Sequence, residues 1–181
     1  MTFAIDGFSA VRPVGVEVIT AGYRVSGTIQ TRFNRVADIL NQLTATHVPV
    51  DGATIQEHDA DAPRRAASAL VAVEEILVML TPELAEASSS DMRVPKQPVR
   101  AELGLPPLWL TGTVYVPVGS RPSDGLLNVA TTFVPMTNLR IVSAAHPRLD
   151  HGGPVAAVRR DRAHIVVFED GAPAQDPAPG G

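Results

Sequence analysis

His146-Pro147-Arg148-Leu149-Asp150-His151 sets two imidazoles and a carboxylate within one short segment, just ahead of Gly152-Gly153. These are groups from which metal sites are built. The segment reads as an exposed loop, however. It lacks the His-Glu-x-x-His spacing that puts two imidazoles on one helix face. His146, Asp150 and His151 are therefore a weak metal candidate, and the expectation is a solvated loop with no metal and no cofactor. Glu57-His58-Asp59 with Asp61 is read in the same way. Arg159-Arg160 with Arg162 forms a basic cluster, and Arg64-Arg65 forms another at the same stage of the first half. If the clusters converge, they would clamp a phosphate or an acidic partner through paired N–H donors. If they stay apart, they are solvated hairpin ends. Arg35 with Asp38 and Arg121 with Asp124 stand at i,i+3 spacing, which lets the two side chains meet on a helical turn. An Asp near a helix start also serves free backbone N–H groups, and that structural role is the expected one. The chain has no nucleophile elbow, Gly-rich phosphate loop or paired-His zinc motif, and no cysteine, so a catalytic role is not expected.

The elements that hold these residues are organised by an internal echo. Tyr23-Arg-Val-Ser-Gly27-Thr28-Ile29 returns as Leu108-Trp-Leu-Thr-Gly112-Thr113-Val114. Arg35 and Asp38 follow the first copy, and Arg121 and Asp124 the second. An Asn in a Leu-rich stretch comes next (Asn41; Asn128), one place out of step. Each copy then reaches His47-Val-Pro-Val50 or Phe133-Val-Pro-Met136. A repeat of this kind sets the architecture before any single residue is interpreted.

Val16 to Thr20 alternates, turns at Ala21-Gly22 and re-enters an alternating run from Tyr23 to Thr31, which is a hairpin pattern. Val99 to Leu103, a Gly-Leu-Pro-Pro turn and Leu108 to Val116 form its counterpart. Gly27 and Gly112 lie inside strand patterns, where a glycine marks a bulge or a close backbone approach. Arg35 to Leu43 reads as a short helical turn, and Pro122-Ser-Asp124 suits a helix start. A third strand is expected near Ala53–Glu57 and Leu139–Ser143. Residues 66–80 alone resemble a buried helix, but their counterpart, Val155–Val158, an Arg-rich turn and His164–Phe168, reads as two strands. The echo therefore assigns two strands meeting near Glu74-Glu75.

The domain reading is a first β-rich unit over 14–80, a surface linker over 81–98, a second unit over 99–168 and a disordered Pro/Ala/Gly tail over 169–181. The fold class is mainly β with short helices: two small bent-sheet or partial-barrel units packed about a pseudo-twofold. Units of about 75 residues are near the lower limit for folding alone, so each is expected to cover a face of the other.

The 181 residues carry a net charge of −4, with 45% hydrophobic and 4% aromatic residues. The charge opposes general phosphate binding and the scarcity of rings opposes base stacking, so nucleic acid is not an expected partner. No run of 18 apolar residues occurs and the N-terminus has no signal-peptide pattern, so membrane insertion is not expected and a cytoplasmic location is the default. Arginine almost replaces lysine, in the manner of a GC-rich bacterial genome.

The succession of Gly-Thr-Ile/Val, Arg-x-x-Asp, Leu-Asn and Val-Pro resembles an uncharacterised family of small bacterial β proteins, a domain of unknown function, in which some members carry the unit twice. The resemblance spans residues 14–80 and 97–168 and implies a fold without an activity. A weaker likeness is to Sm-like small barrels, in the order Gly27, Asp38, Asn41. The Gly-to-Asp distance is longer here and no Arg-Gly signature closes the unit, so no RNA-contacting residues are carried over. The function expected is a non-catalytic assembly or adaptor module that binds protein, or itself, through sheet edges or the face between units. The alternative is a small barrel binding a ligand or nucleic acid through the arginine clusters.

Overall fold

A computed structural model describes residues 10–82 and 95–169. The middle of the expected linker and nearly all of the expected tail lie outside the described residues. The first half runs β1 (Arg12–Ile19), β2 (Tyr23–Thr31), α1 (Val36–Asn41), β3 (His47–Glu57), β4 (Arg64–Ala72), a 3-10 turn (Val73–Glu75) and β5 (Val78–Leu80). The second runs β6 (Lys96–Leu105), β7 (Leu108–Pro117), α2 (Pro122–Leu127), β8 (Phe133–Val142), a 3-10 turn (Pro147–Leu149), β9 (His151–Arg159), another (Arg160–Arg162) and β10 (Ile165–Phe168). The segment 66–80 is thus strand, 3-10 turn and strand.

Alternation explains the strands. In β7, Leu108, Leu110, Gly112, Val114 and Val116 point inward, while Trp109, Thr111, Thr113 and Tyr115 point outward. This is the two-residue period of a sheet with one buried face. β3 and β8 begin earlier than the sequence pattern places them, at His47 and Phe133, and run through the Val-Pro steps. Pro49 is tolerated because β3 pairs with β2 only from Asp51 onward, so residues 47–50 are bonded along one side alone. β6 begins at Lys96, so the last residues of the expected linker are strand.

All ten strands form one antiparallel sheet in the order β10-β6-β7-β8-β9-β5-β1-β2-β3-β4. The two halves share strand order and register. Val18 pairs with Val25 as Leu103 pairs with Leu110. Thr28 pairs with Asp51 as Thr113 pairs with Thr137, each just past a register shift. Val50 pairs with Ala69 as Met136 pairs with Ala156. Ile19 pairs with Val78 as Gly104 pairs with Ile165.

The halves meet through unlike edges. β5, the counterpart of β10, pairs with β9, the counterpart of β4. A pseudo-twofold would bring like edges together, β5 to β10 or β4 to β9. The expected pseudo-twofold packing is therefore corrected to a head-to-tail joint.

Two apolar cores result, and each borrows from the other half. The first-half core takes in Phe133, Val155 and Ala157. The second-half core takes in Ile19, Leu77, Val78 and Leu80. Helix α1 lies against β8 and β9 of the second half, and the Asn41 side chain exchanges two hydrogen bonds with the Phe133 backbone, at 2.8 and 2.9 Å.

Candidate functional site

The repeated sequence motifs are mostly structural in their placement. A Cβ on Gly27 would lie 2.6 Å from the Asp51 carbonyl oxygen and 2.7 Å from Val50 Cγ1. One on Gly112 would lie 2.9 Å from the Thr137 carbonyl oxygen. Both glycines sit where β2–β3 and β7–β8 shift register, and Thr28 and Thr113 resume the pairing. Arg35 and Arg121 precede α1 and α2, and their carbonyls accept from Ile39 and Gly125. Among the described residues no ion pair joins Arg35 to Asp38 or Arg121 to Asp124, so the i,i+3 spacing brings neither pair together. Asn41 bonds across the joint, whereas Asn128 is exposed and follows the end of α2.

The histidine loop is divided among three separate duties. His146 Nδ1 lies 3.2 Å from Asp59, and its ring stands 5.1 Å from that of His58. Asp150 accepts from the Ser143 N–H at 2.8 Å, which fixes its own turn. His151 turns the other way and pairs through Nε2 with Glu17 of β1, while its Nδ1 lies 2.6 Å from the Leu149 carbonyl. The candidate ligand set His146, Asp150, His151 is therefore dispersed. Among the described residues no cluster of three such side chains is arranged to hold a metal.

These contacts build a polar seam between the halves. β5 is only three residues long, and past its end β1 and β9 flank a cleft of about 340 Å³ lined in part by Glu17, Gly27, His151 and Gly153. Burial pushes the Glu17 carboxyl up, but hydrogen bonds with His151 and Arg24 outweigh it and hold the group below its ordinary value. The Glu17 hydrogen bond raises His151 above its ordinary value against the opposing pull of burial. Arg148 reaches Asp61 at 3.0 Å and the Ala60 carbonyl at 3.1 Å, so the two β-hairpin turns are also tied together. The ion pairs Glu17–His151, Asp59–His146 and Asp61–Arg148 thus join the two halves.

The arginine clusters do not converge. Arg159 donates to the Val73 carbonyl at 2.6 Å and to Asp161 at 3.0 Å, with its guanidinium 5.3 Å from the centre of the Phe133 ring. Arg160 donates to the Val129 carbonyl and Arg162 to the Glu74 carbonyl. Val73 directly follows β4, whereas Arg64 and Arg65 begin it. At about 3.3 Å per residue the clusters are roughly 26 Å apart along that strand, too far to clamp one phosphate.

Among the described residues nothing pairs with the outer edges of the two terminal strands. β4 carries Leu70 at 69% exposure, and β10 carries Ile165 at 53% and Val167 at 43%. Their counterparts at the joint, Ala157 on β9 and Val78 and Leu80 on β5, are buried. Beside β4 runs a groove of about 320 Å³ lined in part by Tyr23, Val25, Ile55 and Val71. Ala66 to Ala72 and Ile165 to Phe168 carry no charge. Sequence reasoning passed over Leu70, Ile165 and Val167. A signal was present: both halves are apolar at these positions, although a single joint can bury each edge in only one half.

No protein-family model, curated protein or solved structure matches the chain.

Proposed function

We propose that the chain is a tandem duplication of one small β unit, and that it serves as a non-catalytic assembly module binding protein by strand addition at β4 and β10. The observation that carries this reading is the contrast between each free edge and its buried counterpart at the joint. An unpaired strand presents a row of N–H and C=O groups ready to bond another chain, and soluble proteins normally blunt such edges with charge. Here Arg64 and Arg65 blunt one end of β4, and the remainder is uncharged and, apart from Ser68, apolar. Burying a side chain the size of Leu, Ile or Val is worth about 1.5–3 kcal/mol. Burial of Leu70, Ile165 and Val167 against a partner would thus contribute several kcal/mol. Main-chain bonds supply the affinity in this mode, and alternate side chains supply the specificity.

The test is site-specific photo-crosslinking in the native host. A photoreactive residue at Ser68 on β4 or His164 beside β10 should yield protein adducts. The same residue at Gln30, exposed on the interior strand β2, should yield none. Adducts at no edge position, or equal adducts at all three, would overturn the reading.

A further inference from the structure

We infer that the occupant of both edges is a second copy of this chain, with β10 of one copy joining β4 of the next in the register that β5 already uses on β9. The inference rests on the strand-addition reading and names its partner. The joint inside the molecule supplies the template. Val78, Met79 and Leu80 stand opposite Val158, Ala157 and Ala156. The shared register of the halves converts these into Ile165 opposite Val71, Val166 opposite Leu70 and Val167 opposite Ala69. Every resulting pair is apolar against apolar, and no charge falls within either segment.

The facing of the side chains agrees. Val78 and Leu80 enter the core of the half that receives them. Ile165 and Val167, their exposed counterparts, would enter the groove beside β4, where Tyr23 and Ile55 wait. Ala157 faces the core of the half that supplies the joining strand. Leu70 would likewise face the core against which Val166 packs in the incoming copy. At the joint the Arg159 N–H donates to the Leu77 carbonyl at 2.9 Å, so the Ala72 N–H and the His164 carbonyl are the matching groups at the free edges. Helix α2 fits the same scheme. Leu127, 72% exposed, occupies the place in α2 that Asn41 holds in α1, and Asn41 docks on the neighbouring half.

Because the joint uses unlike edges, one copy cannot satisfy another symmetrically. Each offers one edge of each kind, and association continues until it closes as a ring or runs on as a filament, according to the rotation per copy.

The chain contains no cysteine, so disulfide trapping reads the register without background. In an antiparallel ladder bonded through Ala72 and His164, Ala69 and Val167 form a non-hydrogen-bonded pair, the closer kind, with side chains on one face. The double variant Ala69→Cys, Val167→Cys should give, on mild oxidation, a ladder at multiples of 19.1 kDa. Ala69→Cys with Val166→Cys, one residue out of step and on opposite faces, should give at least about tenfold less. Native mass spectrometry of the unsubstituted protein should show multimers under the same conditions. Multimers together with the in-register ladder support the inference; monomer throughout, or equal trapping by both double variants, overturns it. If the protein is monomeric yet its edges photo-crosslink a different protein, self-assembly fails while strand addition stands. If neither occurs, both fail.

Discussion

Replacing Asn41 with Ala should destabilise the protein through the joint rather than through α1 itself. Asn41 donates to the Phe133 carbonyl at 2.8 Å and accepts from the Phe133 N–H at 2.9 Å, so one side chain acts as a short extra strand on the start of β8. Each bond is worth about 1 kcal/mol net, and a buried N–H left without a partner costs about 1–3 kcal/mol more. The Phe133 carbonyl keeps a second donor, the Thr131 hydroxyl at 3.2 Å, which limits the loss on that side. The sum is about 2–4 kcal/mol, equivalent to about 5–12 °C in Tm for a protein of this size. Urea unfolding of N41A and of N128A provides the assay. Asn128 is exposed and has no side-chain partner among the described residues, so N128A should stay within about 0.5 kcal/mol of the parent. N41A within that margin, or N128A as costly as N41A, would refute the argument that α1 fastens the halves.

Gly27→Ala should cost at least about 2 kcal/mol, because the new methyl meets the Asp51 carbonyl and Val50 with no flexible end to move. Gly22→Ala, with nothing within 4 Å, should be close to neutral in the same urea titration. His151→Gln should cost about 1–3 kcal/mol near pH 5.5 by removing the partner of a half-buried carboxylate. Protonated His151 is favoured above its ordinary 6.5 and ionised Glu17 below its ordinary 4.5. The pair therefore contributes fully between those values. The contribution fades as pH rises through the elevated histidine value, and also as pH falls through the depressed glutamate value. The stability gap between H151Q and parent should accordingly be widest in that window and narrow toward alkaline pH, and a gap that widens with pH would contradict it.

Alternation in the strands was legible because one buried face enforces a two-residue period, as β7 shows along its whole length. The close approaches at Gly27 and Gly112 were legible for a related reason: a glycine inside a strand pattern has few other uses. Residues 66–80 needed the similar pattern of the second half to settle, since Ala-Leu-Val-Ala-Val suits either a helix or a strand by period alone. Three things could not be read. Arg35 and Asp38 stand at the right spacing, yet Arg35 lies ahead of α1 in extended backbone, so helical spacing does not decide their contacts. Glu17 and His151 come together only because β5 stops after Leu80, which brings β1 and β9 to the two sides of one cleft. The unlike-edge joint is a property of strand order across both halves, and no local pattern contains it.

Head-to-tail joining is tested most directly by blocking one edge at a time. Leu70→Asp places a charge in the β4 edge and Val167→Asp places one in the β10 edge, so each variant alone should remain a monomer. Mixed, the intact β10 of the first should seat on the intact β4 of the second. Light scattering should then show a one-to-one complex of twice 19.1 kDa that grows no further. A mixture that stays monomeric at concentrations where the parent associates, or variants that associate on their own, would contradict the account.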